Sequence, residues 1–311
     1  MANNDIPIKE WMSFFSKLYS KVDSKRTPEQ LWIATMAHCS SIGESIRRIH
    51  FPDLLYYSAH TFTWLCSFIN RCRKEKDTVF SLYENLPGIV SLKYPLKCGH
   101  CESKPCCCHP TKMDSLKDKS AHYRKLLKAR RGVIKSVEEY SISQWQDTFA
   151  EIYGEQIHIL SLEAIGFHFL EEAGEAAKAV RALGQLANIS AARIAGVNKA
   201  FLHQLTTVPG IVENYTQYYK KNVDYSSLAP EVIKWRLVNA KMELIVEISD
   251  TFSWFCSILN KLCSISEDCK FSIQTLEQKL RSQYIRKGKP ICPTCKKRHC
   301  SCIFYPKQVV L

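Results

Sequence analysis

Glycine and proline are scarce in this sequence, 11 and 12 in 311 residues, too few for a turn-rich all-β chain. Long hydrophobic runs are also missing. The apolar stretches Phe62–Ile69 and Phe252–Leu259 contain Ser or Thr and are too short to cross a bilayer. Met1–Glu10 carries no apolar signal segment, so the expectation is a cytoplasmic protein with no membrane partner. Acidic residues are in deficit, 30 Asp and Glu against 43 Lys and Arg, for a formal net charge of +13. That balance favours polyanionic partners, either nucleic acid or nucleotide phosphates. Cysteine, in contrast, is abundant at 15 residues. In a reducing compartment closely spaced Cys more often binds metal than forms disulfides. The remaining composition, 46% hydrophobic and 23% charged, is that of a soluble globular protein.

An internal repeat organises the chain. Trp11, Phe15, Leu18 and Tyr19 recur as Trp145, Phe149, Ile152 and Tyr153. Cys39–Ile49 parallels Leu170–Val180, and His60–Asn70 parallels Asp250–Asn260 with six identities in eleven positions. Each copy ends in the same Cys pattern. Self-similarity of this kind sets the architecture before any motif does. The reading is all-α: tandem helical repeats packed as a pseudo-dimer, each followed by a small four-cysteine loop. The first copy spans 1–109 and the second 140–311, with a basic connector over 110–139 that is partly helical. The connector reads as a solvated charged face or, less favoured, a binding surface. Glu44 and His60 lie 16 positions apart, but Glu175 and Asp250 lie 75 apart. The second copy thus holds an insert of about 59 residues, near 184–240, which is expected to fold as additional helices.

Helical periodicity dominates each copy. Ile157, Leu160, Ala164, Phe167, Leu170, Ala173, Ala177 and Val180 predict one helix over Ile157–Leu183 with these residues as its apolar stripe. Gly174 is expected to allow close helix approach. Pro230 fits the first turn of a second helix, whose stripe runs from Val232 to Leu259.

On these helices stand two acidic pairs. Glu172 and Glu175 are three apart and share a helix face, and Glu247 and Asp250 repeat the spacing. Glu243 lies one turn earlier. Stacked like charges destabilise an isolated helix by a few tenths of a kcal/mol, roughly, unless a divalent cation sits between them. Mg²⁺ suits such a site, being hard, oxygen-liganded and commonly shared between carboxylates and substrate phosphates. Taken alone, each pair reads as a solvated helix face. Together, Glu171-Glu172-x-x-Glu175 and Glu247-x-x-Asp250 resemble the EExxE and ExxD motifs of the all-α nucleotide pyrophosphohydrolases, the MazG-like group that includes dimeric dUTPases and dCTP pyrophosphatases. The resemblance covers the helical core of each repeat, about half of the chain, and the insert departs from the family's short connection.

What the resemblance implies is a nucleoside triphosphate substrate, cleavage between the α and β phosphates to monophosphate and pyrophosphate, and Mg²⁺ on Glu172, Glu175, Glu247 and Asp250. Members of that group work as dimers or as duplicated chains, and self-association of this chain stays open. The first copy keeps only Glu44, with Ser41, Tyr57 and His60 at the other motif positions, and is expected to be catalytically silent. Trp32 or Trp64 is a candidate base-stacking residue, though core packing is the commoner role of such aromatics. Lys178, Arg181, Lys279 and Arg281 are the candidate phosphate-binding residues, with Lys241, Lys261 and Lys287 as further ones.

The cysteines form two clusters of identical C-x2-C-x4-C-x-C spacing, Cys98, Cys101, Cys106 and Cys108, then Cys292, Cys295, Cys300 and Cys302. Four thiolates in so short a loop can close a tetrahedral Zn²⁺ site, and metal binding supplies folding free energy where a core is lacking. A dithiol redox role is the alternative. His100, His109 or His299 could replace one thiolate, and Cys107 is spare. Cys39, Cys66, Cys72, Cys256, Cys263 and Cys269 read as small core hydrophobes. The basic tip Lys296-Lys297-Arg298 supports a competing function, a catalytically inactive zinc-containing nucleic-acid-binding protein on the same helical framework.

Overall fold

The computed structural model describes residues 5–75, 78–82, 84–108, 131–187, 230–268 and 274–302. It is mostly helical. Among the described residues are α1 (Ile8–Asp23), α2 (Pro28–Arg47), α3 (Phe51–Lys74), α4 (Leu86–Lys93), α5 (Arg131–Val137), α6 (Ile142–Ile159), α7 (Leu162–Gln185), α8 (Pro230–Asp268) and α9 (Leu276–Tyr284). A two-residue hairpin, β1 (Ile285–Arg286) against β2 (Lys289–Pro290), follows α9. No described helix is long and apolar enough to cross a membrane.

Helix starts follow from local chemistry. Thr27, Ser141 and Thr275 each close a capping box with the glutamine three residues on, Gln30, Gln144 and Gln278. Ser161 accepts from the amide of Ala164 at 3.2 Å and Asn85 from that of Gly88 at 2.9 Å. Pro230 opens α8 as expected.

The long helices α2, α3, α7 and α8 pack side by side, with α2 against α7 joining the two pairs. Helix α1 lies on α3, and α6 lies on α8. The short helices cross over: α4 packs on α8, and α9 packs on α3. Matching contacts appear on the two sides. Trp11 stacks on Phe15 and Trp145 on Phe149, both at 5.6 Å between ring centres. Asn70 Nδ2 donates to the Met12 carbonyl at 2.8 Å, and Asn260 Nδ2 to that of Gln146 at 2.9 Å. Phe15 meets the edge of Tyr284 at 5.2 Å, and Phe149 that of Tyr94 at 5.3 Å.

The structure corrects several expectations. The segment Ile157–Leu183 is two helices, because α6 ends at Ile159 and Ser161 caps a new one. The buried stripe of α7 runs through Ile165, Phe169, Ala173, Ala176, Val180 and Leu183, whereas Phe167 is 74% exposed. Gly174 has nothing within 4 Å of where a Cβ would stand. Close helix approach is seen instead at Gly43, where it would come to 2.8 Å of Leu170, at Gly166, where it would come to 2.6 Å of Ile46, and at Gly184, where it would come to 2.8 Å of Glu29. Residues 230–240, assigned to the insert, belong to α8, while 188–229 lie outside the described residues. Of the expected core cysteines, Cys39, Cys66, Cys72 and Cys256 are buried but Cys263 is exposed, and Cys269 lies outside the described residues. Most of the connector, 110–130, also lies outside them, and its described part, 131–139, contains α5.

The corrected phase of α7 is testable by denaturant unfolding. Phe169→Ala should cost about 3–5 kcal/mol as a deleted core aromatic. Phe167→Ala, at an exposed position, should stay within about 0.5 kcal/mol of wild type.

Candidate metal centres

The α7–α8 contact brings carboxylates together. Glu172 on α7 and Glu247 and Asp250 on α8 place one oxygen each within 4.8 Å of one another. All three are largely withdrawn from water, with Asp250 only 8% exposed. Burial, then the charge of Asp250, lifts Glu172 to about 7 and Glu247 to about 9, far above an ordinary carboxyl near 4.5. The fourth expected ligand, Glu175, stands apart from this trio. It is half-exposed and pairs with Lys178 at 3.3 Å, but its charge acts on Glu172 and on Glu243. Glu243 is pushed up by burial and then by Glu175.

Two residues that sequence reasoning passed over complete the cluster. Lys93 and Tyr94, at the end of α4, come from the other half of the chain. The Lys93 ammonium, 3% exposed, forms an ion pair with Asp250 Oδ2. The buried Tyr94 hydroxyl donates to Asp250 Oδ1. The signal was present: Lys93-Tyr94 precedes the first Cys cluster as Gln283-Tyr284 precedes the second.

The expected phosphate-binding residues are dispersed. At about 100° per residue, Arg181 points about 180° from Glu172 on α7. It lines a cleft of about 460 Å³ between α2 and α7 with Trp32 and Met36. Trp32 is otherwise core, 1% exposed and edge-on to Phe68. Lys279 lies over the Tyr56 ring on α3 and Arg281 pairs with Glu277 at 2.7 Å, both on α9 and its α3 seat. Lys241 is buried and donates to the Ser81 carbonyl at 3.1 Å, and Lys261 donates to that of His158 at 3.0 Å. Lys287 sits in the tight turn of the hairpin with φ 51°. Lys178 remains on the Glu175 side of α7.

In the first half, His60 on α3 lies among other aromatic rings. Its ring stacks on His38 at 5.2 Å and its Nδ1 lies 3.4 Å from the Tyr284 hydroxyl. Burial lowers both imidazoles to about 4, so both are neutral near pH 7. Glu44 is paired with Arg47, which holds it down to about 2, and with Arg48.

Each cysteine set closes on itself. The Sγ atoms of Cys98, Cys101, Cys106 and Cys108 lie within 4.8 Å of one another, as do those of Cys292, Cys295, Cys300 and Cys302. Pairs at 3.7 Å (Cys98–Cys108) and 3.9 Å (Cys101–Cys106 and Cys292–Cys302) match the about 3.8 Å edge of a tetrahedron with Zn–S near 2.3 Å. Both loops use one backbone design. A left-handed residue, Glu102 or Lys296, lies four after the first Cys, and the amide of that Cys donates to the carbonyl of Ser103 or Lys297. Burial alone would raise the Cys101 and Cys295 thiols, but amide N–H groups aimed at them outweigh it and lower each to about 6, whereas burial raises Cys106, Cys108, Cys300 and Cys302, which a bound cation would have to offset. Both sets could therefore hold zinc. His299 is turned to the Lys17 carbonyl at 3.3 Å, and His100 meets Cys98 Sγ through its amide. His109 lies outside the described residues, and Cys107 is exposed.

Two measurements follow. Metal analysis should return two zinc ions per chain, falling to one in Cys292→Ser, because the two cysteine sets are separate. Without added Mg²⁺ or Mn²⁺, thermal stability should fall as pH rises from about 6.5 towards 9, since folded Glu172 and Glu247 bind protons that the unfolded chain has released, whereas below about 6.5 the neutral His38 and His60 act with the opposite sign. Added Mg²⁺ or Mn²⁺ should reverse that fall. Stability that rises with pH over this range would contradict the cluster.

Compared with known proteins, the chain matches no protein-family model, no curated protein and no solved structure, so its function is read from these centres alone.

Proposed function

We propose that the protein is a Mg²⁺-dependent nucleoside triphosphate pyrophosphohydrolase of the MazG-like kind. It would convert a (d)NTP and water to the (d)NMP and pyrophosphate. One observation carries the reading: Glu172, Glu247 and Asp250, distant in sequence and drawn from both acidic motifs, converge within 4.8 Å in a poorly hydrated site. That donor set is all oxygen, compact and short of positive charge, which fits Mg²⁺. Bound there, the ion would orient the triphosphate and draw off its developing charge.

The chain's own residues divide the remaining work. Asp250 is fixed by Tyr94 and Lys93, so its orientation is set before substrate arrives. The Lys93 ammonium, ion-paired with Asp250, would supply the phosphate contact that Arg181, Lys279 and Arg281 cannot. Glu175, half-exposed and paired with Lys178, would take the proton of the attacking water. In the reaction a water oxygen bonds to the α phosphorus, the bridging α–β oxygen bond breaks, and pyrophosphate leaves.

The chain is further proposed to be a tandem duplication folded as a pseudo-dimer, with one live and one silent site. The matched contacts of Trp11 and Trp145, Asn70 and Asn260, and Tyr284 and Tyr94 support it. So does a paired loss of charge: His60 stands where Asp250 does, and Gln283 stands where Lys93 does.

Pyrophosphate release across a panel of NTPs and dNTPs with Mg²⁺ tests the proposal. Glu172→Ala and Asp250→Ala should each lower turnover by about 100-fold or more while the protein stays folded. Lys93→Met should lower it by about ten-fold or more. Arg281→Ala should change it little. The exposed tip Lys296-Lys297-Arg298 favours the second reading. Wild type inert on the whole panel, yet binding DNA or RNA with steep salt dependence, would put the nucleic-acid-binding protein in its place.

A further inference from the structure

The N-terminal cysteine loop, Cys98 to Cys108, and the carboxylate cluster are joined by a short line of polar groups. Cys98 Sγ accepts from the Tyr153 hydroxyl at 3.6 Å. Tyr153 and Tyr94 pack edge to face at 6.1 Å between ring centres. Tyr94 donates to Asp250 Oδ1. The backbone makes a parallel link. Gly99, the residue after Cys98, lies so close to Lys93 that a Cβ would come to 2.7 Å of its carbonyl oxygen. The amide of Cys106 also bonds to the carbonyl of Ile152, beside Tyr153, at 2.8 Å. Thus one small loop holds both residues that hold Asp250.

The C-terminal loop makes the same connections to a different end point. The amide of Cys300 bonds to the carbonyl of Leu18 at 2.7 Å. Tyr19 stands in the sequence repeat where Tyr153 does, and the Tyr284 hydroxyl lies 3.4 Å from His60 Nδ1. This second line terminates on a neutral imidazole instead of a carboxylate. The molecule thereby contains its own control.

We propose that the N-terminal cysteine loop, through Tyr153 and Tyr94 as positioning residues, sets how tightly the Glu172–Glu247–Asp250 cluster holds a divalent cation. Tyr153 donates to Cys98, its ring packs on Tyr94, and Tyr94 donates to Asp250, so the position of the loop's sulfur is passed through two rings to the hydrogen bond that orients the carboxylate. Hydrogen bonds behind a metal ligand fix its orientation, and their loss weakens metal binding. The inference rests on the cation-site reading of the carboxylates and not on hydrolysis.

The test is Mn²⁺ affinity of the full-length, zinc-loaded protein, read by electron paramagnetic resonance as free Mn²⁺ lost, with zinc content and melting temperature measured alongside. Tyr153→Phe keeps the ring and removes the hydroxyl. It should weaken Mn²⁺ binding by about five-fold, and Tyr94→Phe by about ten-fold or more. Tyr19→Phe, the matching change on the other line, should leave Mn²⁺ affinity within about two-fold of wild type. Cys101→Ser, which opens the N-terminal loop, should weaken binding, and Cys295→Ser should not. A merely structural role for Tyr153 would lower melting temperature and zinc content in both Tyr→Phe variants and leave Mn²⁺ affinity alone. Equal effects of Tyr153→Phe and Tyr19→Phe, or none from Tyr153→Phe, would overturn the proposal. Wild type that takes up no Mn²⁺ would overturn it together with the cation site. Mn²⁺ uptake without nucleotide turnover would remove the hydrolase reading alone.

Discussion

Mutual repulsion among three carboxylates, one buried and two half-buried, is the constraint around which this molecule is arranged. Glu172, Glu247 and Asp250 cannot all be ionised at close range in a medium that screens poorly, unless positive charge or protons answer them. The protein answers in two ways. Glu172 and Glu247 hold protons to unusually high pH. Asp250 receives an ammonium and a phenol from a helix that belongs to the opposite end of the chain. The protons are of the kind a divalent cation would displace, whereas the contacts to Asp250 orient it and require α4 to reach across to α8.

That reach explains the peripheral elements. Helices α4 and α9 are too short to be stable alone. Each is gripped by apolar burial on one side, through Leu86, Ile89 and Val90 or through Leu276 and Leu280, and by a Cys loop behind it. The loops have little core of their own, so bonding of four sulfurs to one metal ion would give them their rigidity. Backbone bonds from Cys106 to Ile152 and from Cys300 to Leu18 then fasten each loop to a helix of the other half.

Much of this was legible in the sequence, and the remainder was not for identifiable reasons. The two acidic pairs and both Cys sets could be read because their spacing encodes local geometry, which helices and tight loops preserve. Helix starts at Thr27, Ser141 and Thr275 carry equally local signals. The stripe of α7 was misread because Ser161 ends one helix and caps the next, which resets the phase, and Phe167 falls on the wet side. Arg181 was placed with the carboxylates by proximity in sequence, although nine positions along a helix is half a turn away from Glu172. Lys93 and Tyr94 were missed because their partner lies more than 150 residues away, and no periodicity reports that separation. Short helices such as α4 offer too few turns for an apolar rhythm to stand out.

The crossing of α4 and α9 also bears on how the polypeptide tolerates being divided. Severed between Cys108 and Arg131, each fragment would carry a helix and a sulfur loop whose seat is in the other fragment, along with an empty groove of its own. Neither fragment would be an autonomous folding unit. Two such pieces could regain their native form only by complementation, as the halves of a torn page fit along one edge.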